Sequence, residues 1–212
     1  MDLSKIKMVV SDMDGTLLNS NHQVSEQFFE LFKELQSRDI TFVAASGRQY
    51  NSIIDKLAPI KDEIIVIAEN GGFAKKQDTE ILVTPLDQQR VTEILATLNK
   101  IPNIHPVLCG KHQAYLTNKS NEFVNKLAEY YTEFEIIDNL NTFTSEVIKI
   151  AIYHFESSEQ FIYPFVKHFE KDLKVKVSGE NWLDISNMNA HKGYALSKVM
   201  DSYNLKSNEI LE

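Results

Sequence analysis

The stretch Ile6–Leu18, IKMVVSDMDGTLL, constrains this chain more than any other. Met8, Val9 and Val10, with Ile6 just before them, form an apolar run of the kind found in strands buried on both faces of a parallel sheet. The run leads into Asp12, Asp14 and Gly15. In open α/β sheets ligands lie just beyond the carboxyl ends of the strands, so these two acids are presented where a ligand would sit. Side chains two positions apart in extended backbone leave on the same side, so both acids face one site while Met13 points the other way. Gly15 gives the freedom for a sharp turn, and Thr16 offers a hydroxyl before Leu17 and Leu18 resume packing.

Two carboxylates at ~4 Å repel by about 4 kcal/mol at an effective dielectric of ~20, and a phosphate dianion beside them adds to that. A hard cation relieves the repulsion, and oxygen ligands suit Mg²⁺. Taken alone, two nearby Asp residues read equally as a solvated turn. The rest of the chain decides between the two.

Downstream, Ser25 is an N-cap candidate, and Phe28, Leu31, Phe32 and Leu35 recur at helical spacing as one apolar face. Residues 40–45 then read as a second buried strand ending in Ser46, Gly47 and Arg48. Tyr50, Ile53, Ile54 and Leu57 mark another helix, and residues 63–68 a third strand with Glu69, Asn70, Gly71 and Gly72 as its exit loop. Strands alternating with amphipathic helices imply a parallel sheet with right-handed crossovers. Ser46 falls at the end of the second strand, as Asp12 does in the first. Its hydroxyl and the backbone N–H groups of that turn are suited to phosphate oxygens, and Arg48 adds a forked donor. SGR alone reads as well as a helix N-cap followed by an exposed Arg.

The texture changes after residue 80. Short strands are expected near 81–84, 104–108, 114–116, 147–153, 173–177 and 182–185, several of them paired without an intervening helix, with helices near 86–99, 121–131 and 161–169. This is an α+β plan with a largely antiparallel sheet. A helix opening at Lys192 and Gly193 follows, with Leu196, Val199, Met200 and Tyr203 on one face. An ammonium at a helix start opposes the macrodipole, so Lys192 is not explained by helix stability. His191 lies beside it, but no cluster among the six His has metal-ligand spacing.

The string DMDGTLL after an apolar strand resembles the first motif of the haloacid dehalogenase (HAD) superfamily of phosphohydrolases. SGR resembles the second motif, and HKGYALSKV after a strand resembles the third. The inserted middle section resembles the large cap of the Cof-type branch. The resemblance implies an α/β fold: a Rossmann-like parallel-sheet core over residues 1–80 and 184–212, interrupted by an α+β cap over 81–183. It implies Asp12 as nucleophile and Asp14 as general acid/base, with Ser46 and Lys192 stabilising the transferring phosphoryl group. Gly47, Arg48 and Asn70 are then candidate substrate-binding positions, and Asp12 and Asp14 the Mg²⁺ ligands. The implied activity is Mg²⁺-dependent hydrolysis of small, sugar phosphate-like monoesters through an aspartyl phosphate. A phosphate-ligand binding or interaction protein, or a sugar phosphotransferase, are the alternatives.

The family's fourth, acidic GDxxND-type motif is not found after Lys192. The chain therefore reads as a member lacking that carboxyl-terminal part, with the edge of its first strand exposed for self-association. A net charge of -8 argues against nucleic acid or anionic membrane as partner, and the resemblance implies a small phosphorylated metabolite. A single cysteine, Cys109, permits no internal disulfide, and no apolar run reaches ~18 residues. A cytoplasmic protein is expected.

Overall fold

A computed structural model describes residues 3–212. β1 (Met8–Asp12) carries the expected apolar run, and it is followed by α1 (Glu26–Ser37), β2 (Thr41–Ala45), α2 (Tyr50–Lys56), β3 (Ile65–Ala68), β4 (Phe73–Lys76) and β5 (Thr79–Val83). Next come α3 (Gln88–Leu98), β6 (Ile104–Cys109), β7 (Ala114–Leu116), α4 (Asn121–Ala128), β8 (Phe134–Ile136) and β9 (Lys149–His154). α5 (Ser158–Phe161), α6 (Tyr163–Val166), β10 (Leu173–Val177), β11 (Trp182–Asn187), α7 (Lys192–Ser202) and β12 (Ile210–Leu211) complete the order. The chain divides into two compact units, one running up to Val83 and resuming over His191–Glu212, the other spanning Thr84–Ala190.

The first unit is built on a sheet of order β12-β1-β2-β3-β4-β5. The first four strands are mutually parallel, and β4 and β5 add an antiparallel margin. Pleat alternation sorts the apolar residues. Met8, Val10, Val43, Ala45, Ile65 and Ile67 are buried together with Ala195 and Val199 of α7. Phe42, on the opposite side of β2, meets the rings of Phe28 and Phe32 of α1 at centroid distances of 5.1 and 6.2 Å. Ser25 caps α1 by accepting from the Phe28 N–H. Leu31 departs from the expected buried face: it is 51% exposed, on the rim of an apolar groove that also includes Leu17, Phe28, Leu35 and Leu211.

The edge of β1 expected to be bare is paired in part. Ile210 and Leu211 of β12 lie in parallel register with Met8 and Val9.

The second unit carries a sheet of order β10-β11-β9-β6-β7-β8, antiparallel except between β7 and β8. Ile150, Ile152, Leu183 and Ile185 pack with Ile94 and Leu98 of α3 on one face. Val107, Cys109 and Ala151 pack with Phe123 and Leu127 of α4 on the other. The Cys109 thiol is buried, 3.2 Å from the Tyr131 hydroxyl. The single helix predicted over 161–169 is instead α5, α6 and a 3-10 turn. Pro164 has no N–H to continue the helical ladder, and the chain restarts there.

The expected unit boundaries at 80/81 and 183/184 need correction. Both fall inside strands whose backbone groups are hydrogen-bonded to their own sheets, β5 to β4 and β11 to β9 and β10. The divisions therefore lie at Val83/Thr84 and Ala190/His191. Among the described residues, no helix is long and apolar enough to cross a membrane.

Ile65 has no exposed surface and sits between β2 and β4. Ile65→Ala is expected to destabilise the protein by about 2–5 kcal/mol in denaturant unfolding, and a loss below ~1 kcal/mol would contradict its place in the core.

Candidate active site

The parallel register of β1 and β2 sets Asp12 opposite Ala45, so the exit of β1 lies beside Ser46. Asp12 falls on the same pleat face as Met8 and Val10, the face covered by α7. Lys192, the first residue of α7, there donates to Asp12 Oδ1 at 2.7 Å. The Met13 N–H donates to the same oxygen at 2.7 Å. Oδ2 makes no hydrogen bond among the described residues, and the side chain is about half exposed.

Gly15 turns the chain beyond Asp14 at φ 75, a conformation that any residue with a Cβ adopts at a cost. Asp14 receives a fork from Arg48. Nε donates to Oδ1 and Oδ2 at 3.1 and 3.0 Å, and a terminal nitrogen donates to Oδ1 at 2.7 Å. The Arg48 side chain is only 5% exposed, so this contact is shielded in a way the Lys192 pair is not. The same terminal nitrogen lies 3.4 Å from His22 Nδ1, and Lys56 Nζ donates to the His22 carbonyl. Burial, with the Arg48 guanidinium close by, pulls the Lys56 ammonium below the usual lysine range, against the opposing pull of Asp14.

Ser46 is fully buried, and its hydroxyl oxygen accepts from the Arg48 N–H at 3.2 Å. Gly47 and Asn70 are neighbours, since a Cβ on Gly47 would stand 2.9 Å from the Asn70 amide oxygen. The structure thus brings Asp12, Asp14, Ser46, Gly47, Arg48, Asn70 and Lys192 into the first unit's strand-exit region. It also gives Arg48 a partner that the sequence reading did not foresee. His191, expected to be structural or surface like the other histidines, is the N-cap of α7, its Nδ1 accepting from the Tyr194 N–H at 3.0 Å. The signal was faint, because His is not among the preferred caps.

Asp12, Lys192, Val10, Ala45, Ile67 and Leu196 border a cavity of about 130 Å³. No group of three or more His, Cys, Asp or Glu that could hold a metal ion occurs among the described residues. The Asp12 carboxylate oxygen without a hydrogen bond is the kind of donor that suits a hard cation such as Mg²⁺. That ion keeps several waters and is commonly held by one or two carboxylates together with substrate phosphate.

Residues 9–212 match the family model described as haloacid dehalogenase-like hydrolase. The chain is 26% identical over 212 residues to the 5-amino-6-(5-phospho-D-ribitylamino)uracil phosphatase YbjI of Escherichia coli (strain K12), covering 97% of this chain and 77% of that protein. The solved structure of TM0651 from Thermotoga maritima superposes with a TM-score of 0.85 at 24% identity, covering 97% of this chain and 78% of that one. The HAD subclass IIB sugar phosphatase BT4131 gives 0.78 at 17% identity, covering 96% and 78%.

His191→Ala is expected to weaken the start of α7 and lower stability by about 0.5–2 kcal/mol, with His191→Asn recovering most of it, both read by chemical denaturation.

Proposed function

The chain belongs to the haloacid dehalogenase-like hydrolases, and from that premise we propose that it hydrolyses phosphate monoesters through an aspartyl-phosphate intermediate on Asp12. The observation that carries this reading is the arrangement of two carboxylates at one strand exit, each with its own cation. Lys192 faces Asp12, and Arg48 faces Asp14.

The chemistry follows from these positions. Asp12 Oδ2 attacks phosphorus, and the ester oxygen leaves with a proton supplied by Asp14. Asp14 then takes a proton from water, which attacks the aspartyl phosphate, returning Asp12 as a carboxylate and releasing phosphate. Lys192 offsets negative charge on the nucleophile and on the phosphoryl oxygens, and the buried Ser46 hydroxyl is a further donor at the neighbouring strand end. Arg48 fixes the direction in which Asp14 points. Held between Asp12 and the Asp14 carbonyl, Mg²⁺ would supply further neutralisation of the phosphoryl oxygens.

The substrate class proposed is small phosphorylated metabolites of the sugar phosphate kind. The similarity to YbjI, named a 5-amino-6-(5-phospho-D-ribitylamino)uracil phosphatase, and to BT4131, named a sugar phosphatase, supports it.

Hydrolysis of an aryl phosphate tests the proposal. Turnover should require Mg²⁺ and disappear on chelation, and Asp12→Asn should abolish it while leaving the fold intact. Unchanged activity in that variant removes Asp12 as nucleophile. Asp14→Asn should lower kcat by about 10²–10⁴-fold, the usual contribution of a positioned acid/base. Ligand binding without turnover by folded wild-type protein would favour a phosphate-ligand binding protein instead. Phosphate passed to an added sugar would favour a phosphotransferase.

A further inference from the structure

Three consecutive residues after β3 lie in left-handed backbone: Glu69 at φ 51, Asn70 at φ 57 and Gly71 at φ 98. The turn they form is tied to the loop that carries Ser46 and Arg48. The Asn70 N–H donates to the Ser46 carbonyl and the Glu69 N–H to the Arg48 carbonyl, each at 3.0 Å. Its far end lies against the start of α7. A Cβ built on Gly71 would stand 2.3 Å from the His191 carbonyl carbon, 2.4 Å from its oxygen and 2.7 Å from the Lys192 nitrogen. These are backbone atoms and cannot rotate aside as the tip of a side chain can. The ammonium that meets Asp12 at 2.7 Å belongs to this same Lys192.

We infer that Gly71 is a positioning residue: by letting the Glu69–Gly71 turn lie directly on the His191–Lys192 backbone, it sets where Lys192 stands against Asp12. The inference rests on the phosphoryl-transfer reading above for its effect on rate. Carbon–carbon contact is ordinary from ~3.5 Å, so a methyl group at Gly71 moves the start of α7 by about an ångström. A displacement of that size at a reacting centre costs on the order of 10²-fold.

The test compares wild type, Gly71→Ala, Lys192→Ala and the double variant in aryl phosphate hydrolysis. Gly179→Ala is the control, since an added Cβ there meets nothing within 4 Å. The expected result is a kcat for Gly71→Ala lowered on the order of 10²-fold. Gly179→Ala should leave the rate unchanged, and the double variant should be no slower than Lys192→Ala by more than about twofold, as coupled sites behave. Activity retained in Gly71→Ala, or losses that multiply in the double variant, would overturn the inference. A Lys192→Ala variant with full activity would count against the phosphoryl-transfer role of Lys192, and the placement itself is then decided by amide exchange. For that measurement, and should Gly71→Ala fail to fold, Asn70→Gly loosens the same turn at a position whose φ suits glycine. Exchange of the Tyr194 and Ala195 amides, both bonded to His191, should quicken by at least about tenfold, and unchanged exchange would overturn the inference.

Discussion

The parallel pairing of β1 with β2 is the constraint on which the site depends. Parallel neighbours demand crossover connections, and crossovers bring every strand of the set to the same edge before the chain leaves it. Asp12 and Ser46 are far apart in sequence yet leave the sheet side by side because Asp12 is in register with Ala45. The pleat then sends Asp12 toward α7, and the first residue of that helix is the lysine it meets. Reversing either the register or the pleat by one residue would turn the carboxylate to the opposite face of the sheet.

Electrostatics completes what topology begins. Two acids at one turn would repel, and the fold separates their partners. Asp12 takes an ammonium from α7, a half-exposed contact worth little to stability. Asp14 takes a buried guanidinium from the loop before α2, where planar geometry holds the carboxylate in a fixed direction. His22 and Lys56 add further positive or polar character around Asp14 in a chain whose net charge is -8.

Much of the first unit was legible because its strands are apolar runs and its helices are periodic. β1, β2, β3 and α7 appear close to where the pattern puts them, and the acids, Ser46 and Lys192 fall at element ends that the pattern marks. What was missed has local causes. β4, with the sequence FAKK, has no alternation to announce it, and its pairing with β3 depends on the left-handed turn between them. β8 is three residues long and pairs with an equally short strand. Leu31 fits a helical stripe, yet a stripe shows only which residues share a face, not how far the neighbouring sheet reaches to cover them. The Arg48–Asp14 fork was hidden because loop spacing in sequence says nothing about which way a guanidinium turns.

The solitary thiol gives this protein a built-in reporter. Cys109 belongs to β6, beneath α4 in the second unit, while the first unit has no sulfhydryl at all. Buried under α4, that sulfur meets a reagent such as a maleimide when the packing of α4 on the second unit's sheet opens. Its labelling rate therefore times the opening of one unit on a molecule whose other unit stays silent.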